Sequence, residues 1–363
     1  MKRTATAWLL LLCLCLSGCG SFLTGEYLWE QTHYIPPMPD SGQDIVASDY
    51  DQLMAVLADS IEQGREQFTV SVAQYDRNSL QPDIEQAVTM VRMTNPVAAY
   101  AVSEINWQVG TSGGETVLVI QVNYFHDASQ LQNLLRVADN AEALAAIYQA
   151  MDRCDSGIVI YVADYTQDDL VPLLENHATE SPQLVMETPH ITMQIYPETG
   201  KSRVLEIRFS YVNSRDALRD MQQQVLTMFE SSVNMVSMTE KTKDKYTQLY
   251  SLLVERFQKY TIETSITPAY SLLLHGVGDA RAFAVVFSAM CREAGLACQV
   301  VAGTKGGKLW YWNIVQVDGA YYHVDLLRSK SEGNLRLLTD AIINEGYVWD
   351  FDAYPACGGR AVS

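Results

Sequence analysis

Two strand-like runs, 90 positions apart, set the pattern of the first two thirds of the chain. Phe68–Val72 and Ile158–Val162 are rich in β-branched residues and predict strands. Each run leads to a tyrosine, Tyr75 or Tyr165, and then to an acidic stretch whose apolar residues have helical spacing. The same order of elements is therefore predicted twice.

Alternating apolar and polar residues follow in both copies. After Pro96 and after Pro182 the pattern predicts a strand, a glycine-containing turn and a second strand. Three apolar positions of the second strand, Ile120, Val122 and Tyr124, recur 87 residues later as Ile207, Phe209 and Tyr211. Each copy is predicted to end in a long helix, Asp127 to Met151 in the first and Ser214 to Met238 in the second.

We interpret these elements as a duplicated α/β module over residues 48–238, with repeats of about 68–151 and 157–238. Its tyrosines and methionines have the spacing of core residues, which favours packing over ligand binding. One alternative keeps the module as the functional binding part of the protein.

The start of the chain predicts a leader. A basic beginning precedes an apolar run from Ala7 to Leu16, and small residues lead to Cys19. This order is typical of a lipoprotein signal peptide, here residues 1–18, whose removal leaves a lipid-modified cysteine. We expect residues 19–47 to be a tether and the mature protein to be anchored by Cys19 at the extracytoplasmic face of a bacterial cell membrane.

Composition narrows the classes of partner. Hydrophobic residues make up 48% of the chain, which is ample for packed cores. No later segment has the roughly 20 consecutive apolar residues that cross a bilayer. The formal charge of −18 argues against nucleic acid as a partner.

Four cysteines lie beyond the leader and Cys19: Cys154, Cys291, Cys298 and Cys357. They form no pair or cluster with metal-binding spacing, so we predict neither a metal site nor a cofactor. Free buried cysteines are the simplest interpretation, and a disulfide between Cys298 and Cys357 stays open.

The last third of the chain contains three motifs in a fixed order. Thr267 to Ala284 contains Ala-Tyr, a glycine-rich turn and the start of a helix at Ala280. Trp310 to Val315 reads Trp-Tyr-Trp-Asn-Ile-Val, and Tyr321 to Asp325 reads Tyr-Tyr-His-Val-Asp.

These motifs resemble the transglutaminase-like superfamily, in which a cysteine opens the helix, a histidine precedes x-Trp-Asn and an aspartate ends the next strand. The resemblance implies a papain-like transglutaminase-core domain over residues 239–363 and an α+β chain. In this register Ala280 takes the position of the nucleophile and Trp310 that of the general base. Asp325 alone matches a member of the catalytic triad.

The two replacements predict a pseudoenzyme. Alanine has no atom that can attack a carbonyl, and an indole is a donor without a basic nitrogen. We expect Asp325 to orient nothing. An active transglutaminase or cysteine peptidase using displaced residues such as His323 and Asp325 is the alternative, and it requires a thiol or hydroxyl close to His323.

Two interpretations of Trp310 stay open. Its indole either fills the former active site as core or belongs to a cleft that binds a protein, a peptide or a wall polymer. The residues of that predicted binding cleft are Asp279, Trp310, Trp312, Tyr322, His323 and Asp325. Asp279 is also the expected N-cap of the helix that begins at Ala280.

Overall fold

The computed structural model describes residues 45–126, 128–166, 170–238, 241–257 and 266–358. The predicted signal peptide, Cys19 and nearly all of the predicted tether lie outside these residues and stay predictions. Among the described residues, no helix is both long and apolar enough to cross a bilayer.

The first repeat consists of three helices and a three-stranded sheet. Its elements are α1 (Tyr50–Glu62), β1 (Gln67–Ser71), α2 (Leu80–Thr94), α3 (Pro96–Ala101), β2 (Val102–Ser112) and β3 (Glu115–Tyr124). The strand order is β1-β3-β2, and both neighbouring pairs are antiparallel.

The second repeat contains counterparts of two of these helices and of the three strands, with an additional helix and strand before them and a long helix after them. Its elements are α4 (Ala128–Gln132), β4 (Leu135–Asp139), α5 (Asn140–Asp152), β5 (Gly157–Asp164), α6 (Val171–Glu180), β6 (His190–Tyr196), β7 (Arg203–Ser210) and α7 (Arg215–Ser237). The strand order is β4-β5-β7-β6, in which β4 runs parallel to β5 and the other pairs are antiparallel.

Strand register shows that the two repeats are equivalent. Phe68 lies opposite Ile120 in the first sheet, and Ile158 lies opposite Ile207 in the second. These are the residues that the sequence pattern aligned, at separations of 90 and 87 positions.

The repeats begin one element earlier than predicted. α1 and α5 each contain 13 residues, are capped by Asp49 and Asp139, and bury the same four helical positions. The predicted helix from Asp127 to Met151 is wrong, because Leu135–Asp139 pairs with β5 as a strand. Alternation in this short run favours a strand, and Asp139 then starts a new helix.

The last part of the chain surrounds one central helix. Its elements are α8 (Thr242–Arg256), α9 (Pro268–His275), α10 (Ala280–Glu293), β8 (Cys298–Lys305), β9 (Lys308–Val317), β10 (Ala320–Val324), α11 (Leu326–Ser331), α12 (Asp340–Ile343), β11 (Tyr347–Val348) and a 3₁₀ turn (Phe351–Ala353). The antiparallel sheet has the order β10-β9-β8-β11. The α+β class predicted for the chain is confirmed.

The second repeat and the last part of the chain share a hydrophobic core. Leu218, Val225 and Phe229 of α7 belong to the same buried cluster as Phe287 of α10. The described residues from Ala47 onward form one compact unit. The boundary predicted at residues 238 and 239 therefore passes through shared packing rather than between two separate cores.

Candidate functional site

The N-terminus of α10 lies at a tight turn. Gly276 ends α9 in the left-handed region with φ of 62°. A Cβ on Gly278 would come within 2.9 Å of the Cβ of Ala282, so the close approach requires glycine. Asp279 caps α10 as predicted, because its carboxylate accepts from the N–H of Ala282 at 2.9 Å. Ala280 follows as the first helical residue and is buried.

The two strands after α10 place Trp310 beside Asp325. The indole Nε1–H of Trp310 donates to Oδ2 of Asp325 at 2.9 Å. Ala280 and Asp325 both line a recess that is too narrow for a water molecule. Asp325 thus contacts Trp310 on one side and shares the recess with Ala280 on the other.

Asp325 is a fully engaged carboxylate, so the expectation that it orients nothing is wrong. Oδ2 also accepts from Tyr347 Oη at 2.7 Å and Lys305 Nζ at 2.9 Å, while Oδ1 accepts from the N–H of Arg328 at 3.0 Å. Burial by itself raises the pKa of Asp325, but these hydrogen bonds and the lysine charge outweigh it and hold that pKa below its usual value. Asp325 is therefore an anion with four donors.

Lys305 is held in place by two rings as well as by the ion pair. Its ammonium lies 4.8 Å from the centroid of the Trp310 ring and 4.9 Å from that of Tyr347. Such cation–π contacts restrict the ammonium to the vicinity of Asp325. Sequence reasoning did not identify Lys305 or Tyr347, because strand pairing of β8 with β11 brings them to the acid.

His323 belongs to a second, separate network. It is fully buried, and its Nδ1 accepts from the Nε1–H of Trp312 at 2.9 Å. Because an indole can only donate, Nδ1 carries no proton and Nε2–H donates to Asp340 at 2.8 Å. Burial lowers the pKa of His323 despite the opposing effect of Asp340. Both ring nitrogens are therefore occupied, and neither is available as a base.

The thiol of Cys357 lies close to this network. Its Sγ, a nitrogen of His323 and a carboxylate oxygen of Asp340 lie within 4.8 Å of one another. The thiol donates to the carbonyl of Pro355, and burial together with the charge of Asp340 raises its pKa to about 12. A thiol with a raised pKa and an Nε2–H do not form a nucleophile and base.

The six residues of the predicted cleft do not share one surface. Trp312, His323 and Asp325 are buried. Tyr322 packs against the core that contains α10, whereas Trp310 packs against the cluster on the opposite face of the sheet. Asp279 is the helix cap already described. The aromatic residues of β9 and β10 thus form two core layers instead of one open cleft.

The four cysteines of the described part are all free thiols, so Cys298 and Cys357 are not paired. Cys291 is buried in α10, and its thiol contacts that of Cys298. Burial raises the pKa of Cys291 well above its usual value, which makes this thiol unreactive.

Comparison with known proteins identifies one region of the chain. The family model described as Transglutaminase-like superfamily matches residues 232–326. No curated protein sequence matches the chain.

Three solved structures show similarity. A putative cysteine protease from Cytophaga hutchinsonii has 10% identity and a TM-score of 0.26, covering 47% of this chain and 70% of that one. A TGase has 11% identity and a TM-score of 0.25, covering 47% and 50%. A putative protease from Parabacteroides distasonis has 10% identity and a TM-score of 0.22, covering 71% and 39%. This chain therefore spans half or less of the last two structures.

The family match extends from the end of α7 to the start of α11 and includes Ala280, Trp310 and Asp325. The matched region contains α10, which begins at Ala280, and the antiparallel strands β8, β9 and β10. Residues 232–326 form a domain of the transglutaminase-like superfamily.

Proposed function

We propose that the transglutaminase-like domain of this chain is non-catalytic and serves in binding, on a lipoprotein held by Cys19 at the extracytoplasmic face of the cell membrane. Its partner would be a protein, a peptide or a wall polymer within reach of the tether. The observation that carries the non-catalytic assignment is the hydrogen bond from Trp310 to Asp325 beside Ala280.

The hydrogen bond reproduces half of what an imidazole does at this position. In a triad, the carboxylate accepts from one ring nitrogen and the other nitrogen takes the proton of the nucleophile. The indole of Trp310 supplies the first contact and has no second nitrogen. Ala280 offers no thiol at the N-terminus of α10, where the free N–H groups of the helix would stabilise a thiolate. Thiol activation therefore has neither a nucleophile nor a base here.

The arrangement of His323 argues against the alternative of a displaced active site. Its Nδ1 accepts from Trp312 and its Nε2–H donates to Asp340, so it lacks a free basic nitrogen. The Cys357 thiol is nearby but protonated. These contacts favour a structural role for the network.

An activity assay of the chain without its leader tests the proposal. We expect no incorporation of an amine donor into a glutamine-containing protein and no labelling by an active-site thiol probe at neutral pH. The double variant Ala280→Cys, Trp310→His rebuilds the missing groups, and Ala280→Cys alone is the matched control because its thiol lacks a base. Turnover by the wild type would refute the non-catalytic assignment, and its loss in Cys357→Ser would assign the activity to the displaced residues around His323.

Membrane anchoring needs its own experiment. Metabolic labelling with palmitate in a bacterial host should mark the full chain and should fail for Cys19→Ser. Equal labelling of the two would remove the lipid anchor from the proposal.

A further inference from the structure

A groove runs along the transglutaminase-like domain and shares only Tyr311 with the lining of the recess at Ala280. Its volume is about 540 Å³, within the range of pockets that bind small ligands and short peptides. One wall is formed by α10 and the end of α6, and the other by the residues around Tyr354 after the 3₁₀ turn. The N-terminal half of β8, from Cys298 to Val300, forms the floor.

The floor of the groove is an open strand edge. β9 pairs with the full length of β8 on one side, whereas β11 pairs only with Thr304 and Lys305 on the other. In the described part of the chain no strand covers Cys298 to Val300 on that second side. An uncovered edge presents N–H and C=O groups that can pair with an additional strand.

Strand register identifies the backbone groups that face outward. Gly306 and Gly307 form a two-residue hairpin, so Lys305 and Lys308 are a hydrogen-bonded pair. Going back along β8 from Lys305, the backbone N–H and C=O groups of successive residues point in turn toward β9 and away from it. Val300 is among those whose N–H and C=O point away from β9.

Two contacts agree with this alternation. The N–H of Ala302 lies 3.5 Å from the hydroxyl of Tyr354, and the carbonyl of Cys298 accepts from the hydroxyl of Ser288 at 3.2 Å. Both residues share the outward register of Val300. Side chains around the groove therefore bond to the strand edge at Cys298 and at Ala302, and they leave the backbone groups of Val300 between them open.

Two arginines provide the positive charge of the groove. Arg281 donates to the Thr179 hydroxyl at 3.3 Å and lies over the ring of Tyr311, and Arg292 donates to the Glu180 carbonyl at the end of α6. Among the described residues, neither guanidinium forms an ion pair with a carboxylate. Because each guanidinium has five N–H donors, most of them remain available for a ligand.

The lining of the groove is more positive than the chain as a whole. The lining contains both arginines and a single carboxylate, that of Glu180, in a chain with a formal charge of −18. The arginines are separated by 11 residues on α10. At a rise of about 1.5 Å per residue this separation is about 16 Å, close to the length of five residues of extended peptide.

We propose that this groove binds an extended acidic peptide, which adds a strand to the open edge of β8 and places its carboxylates against Arg281 and Arg292. The main chain would supply the hydrogen bonds, and the charges would select the sequence. This inference rests on the proposed binding function and names the class of its ligand. It does not involve Ala280 or Trp310.

Fluorescence anisotropy with two defined peptides tests the proposal. The acidic probe is fluorescein-labelled Val-Glu-Val-Glu-Val-Glu-Val with an amidated C-terminus, and the control peptide has glutamine in place of each glutamate. We expect the acidic probe to bind the chain without its leader at least tenfold more tightly than the control peptide. Binding should weaken as salt increases, because the charges lie at the surface.

Three variants separate the two parts of the site. Arg281→Gln, Arg292→Gln should weaken binding of the acidic probe at least tenfold and remove its advantage over the control peptide. Val300→Pro should abolish binding of both peptides, since proline removes an outward N–H and is tolerated on an edge strand. Arg92→Gln, in the first repeat, is the matched control and should bind like the wild type. Circular dichroism and urea unfolding establish that each variant is folded.

Other outcomes refute the inference. Lack of binding at millimolar acidic probe, or equal binding by the double arginine variant, excludes an acidic peptide at this groove. Concentration-dependent dimerisation that is lost in Val300→Pro would instead assign the edge to a second copy of the chain. Failure of peptide binding would leave the non-catalytic assignment intact, because that assignment depends on the separate turnover assay.

Discussion

The indole of Trp310 has a structural consequence that can be separated from its size. Its N–H is one of the donors to the buried carboxylate of Asp325, and a buried acceptor that loses a partner costs about 1–3 kcal/mol. We therefore expect Trp310→Phe to lower the free energy of unfolding more than Trp310→His, although histidine is the smaller side chain. Urea unfolding at pH 7 measures the difference.

Side-chain volume and hydrogen bonding predict opposite orders of stability for Trp310→Phe and Trp310→His. If the packing of the ring were the dominant contribution, histidine would leave the larger cavity and would be the more destabilising replacement. A result in that order would show that the indole N–H contributes little to the folded state.

Burial of His323 predicts a dependence of stability on pH. Its folded pKa is lowered, so the unfolded chain binds more protons than the folded chain once the pH falls below the unfolded value of about 6.5. Stability is therefore expected to decrease as the pH is lowered from 7 toward 5. In His323→Gln this decrease should be smaller, because the amide can accept from Trp312 and donate to Asp340 without titrating. Urea unfolding at several pH values tests this, and equal slopes for the two proteins would contradict it.

At the same scale, sequence order predicted some contacts and missed others. Ala280, Trp310 and Asp325 stand in the motifs that carry the family resemblance, at a helix start and on or directly after the strands of one hairpin, and the resemblance implied that they lie close together. Lys305, Tyr347 and Asp340 reach the site through the pairing of β8 with β11 and the return of the chain after β10. No local pattern encodes those contacts.

At the scale of elements, the duplicated helices provide a matched pair of caps. Asp49 accepts from the N–H of Gln52 in α1, and Asp139 accepts from the N–H groups of Ala141 and Glu142 in α5. We expect Asp49→Ala and Asp139→Ala each to lower the free energy of unfolding by about 1 kcal/mol. Thermal or urea unfolding of the two variants measures both caps.

Asp49→Asn is the control for the first of these caps, since asparagine caps a helix nearly as well as aspartate. It should be close to the wild type in stability. A loss as large as that of the alanine variant would attribute the effect to charge and not to the hydrogen bond to the helix N-terminus.

The periodicity of the strands predicted the duplication, but it did not predict where each repeat starts. The alternating apolar residues of the strands recur in the sequence. The helices α1 and α5 share buried positions and an aspartate cap, but their buried residues differ. Leu53 and Leu57 of α1 correspond to Ala143 and Ile147 of α5, so equivalent buried positions hold different apolar residues. Packing preserves the position, and the sequence comparison loses it.

At the scale of the whole molecule, the helix α7 connects the second repeat to the transglutaminase-like domain. It begins after β7, and its inward residues pack into the core around α10. The hydroxyl of Thr267, just before α9, donates to the carbonyl of Val185 in the second repeat, and Glu187 forms a bridge with Ile266. The repeat pattern and the family resemblance predicted a module and a separate domain, while these contacts couple them.

This coupling predicts that a single substitution in α7 destabilises both parts together. Phe229 is 3% exposed, and replacing a buried phenylalanine with alanine costs about 3–5 kcal/mol. In Phe229→Ala, urea unfolding followed by far-UV circular dichroism and by tryptophan fluorescence, to which the buried Trp312 and Trp349 contribute, should shift by the same amount. Met235→Ala, at a more exposed position of α7, should change neither transition appreciably. If circular dichroism shifted while the fluorescence transition stayed in place, the second repeat would unfold independently of the transglutaminase-like domain. The groove on β8 would then lose its α6 wall before its floor, so peptide binding would disappear at a lower urea concentration than the tryptophan signal.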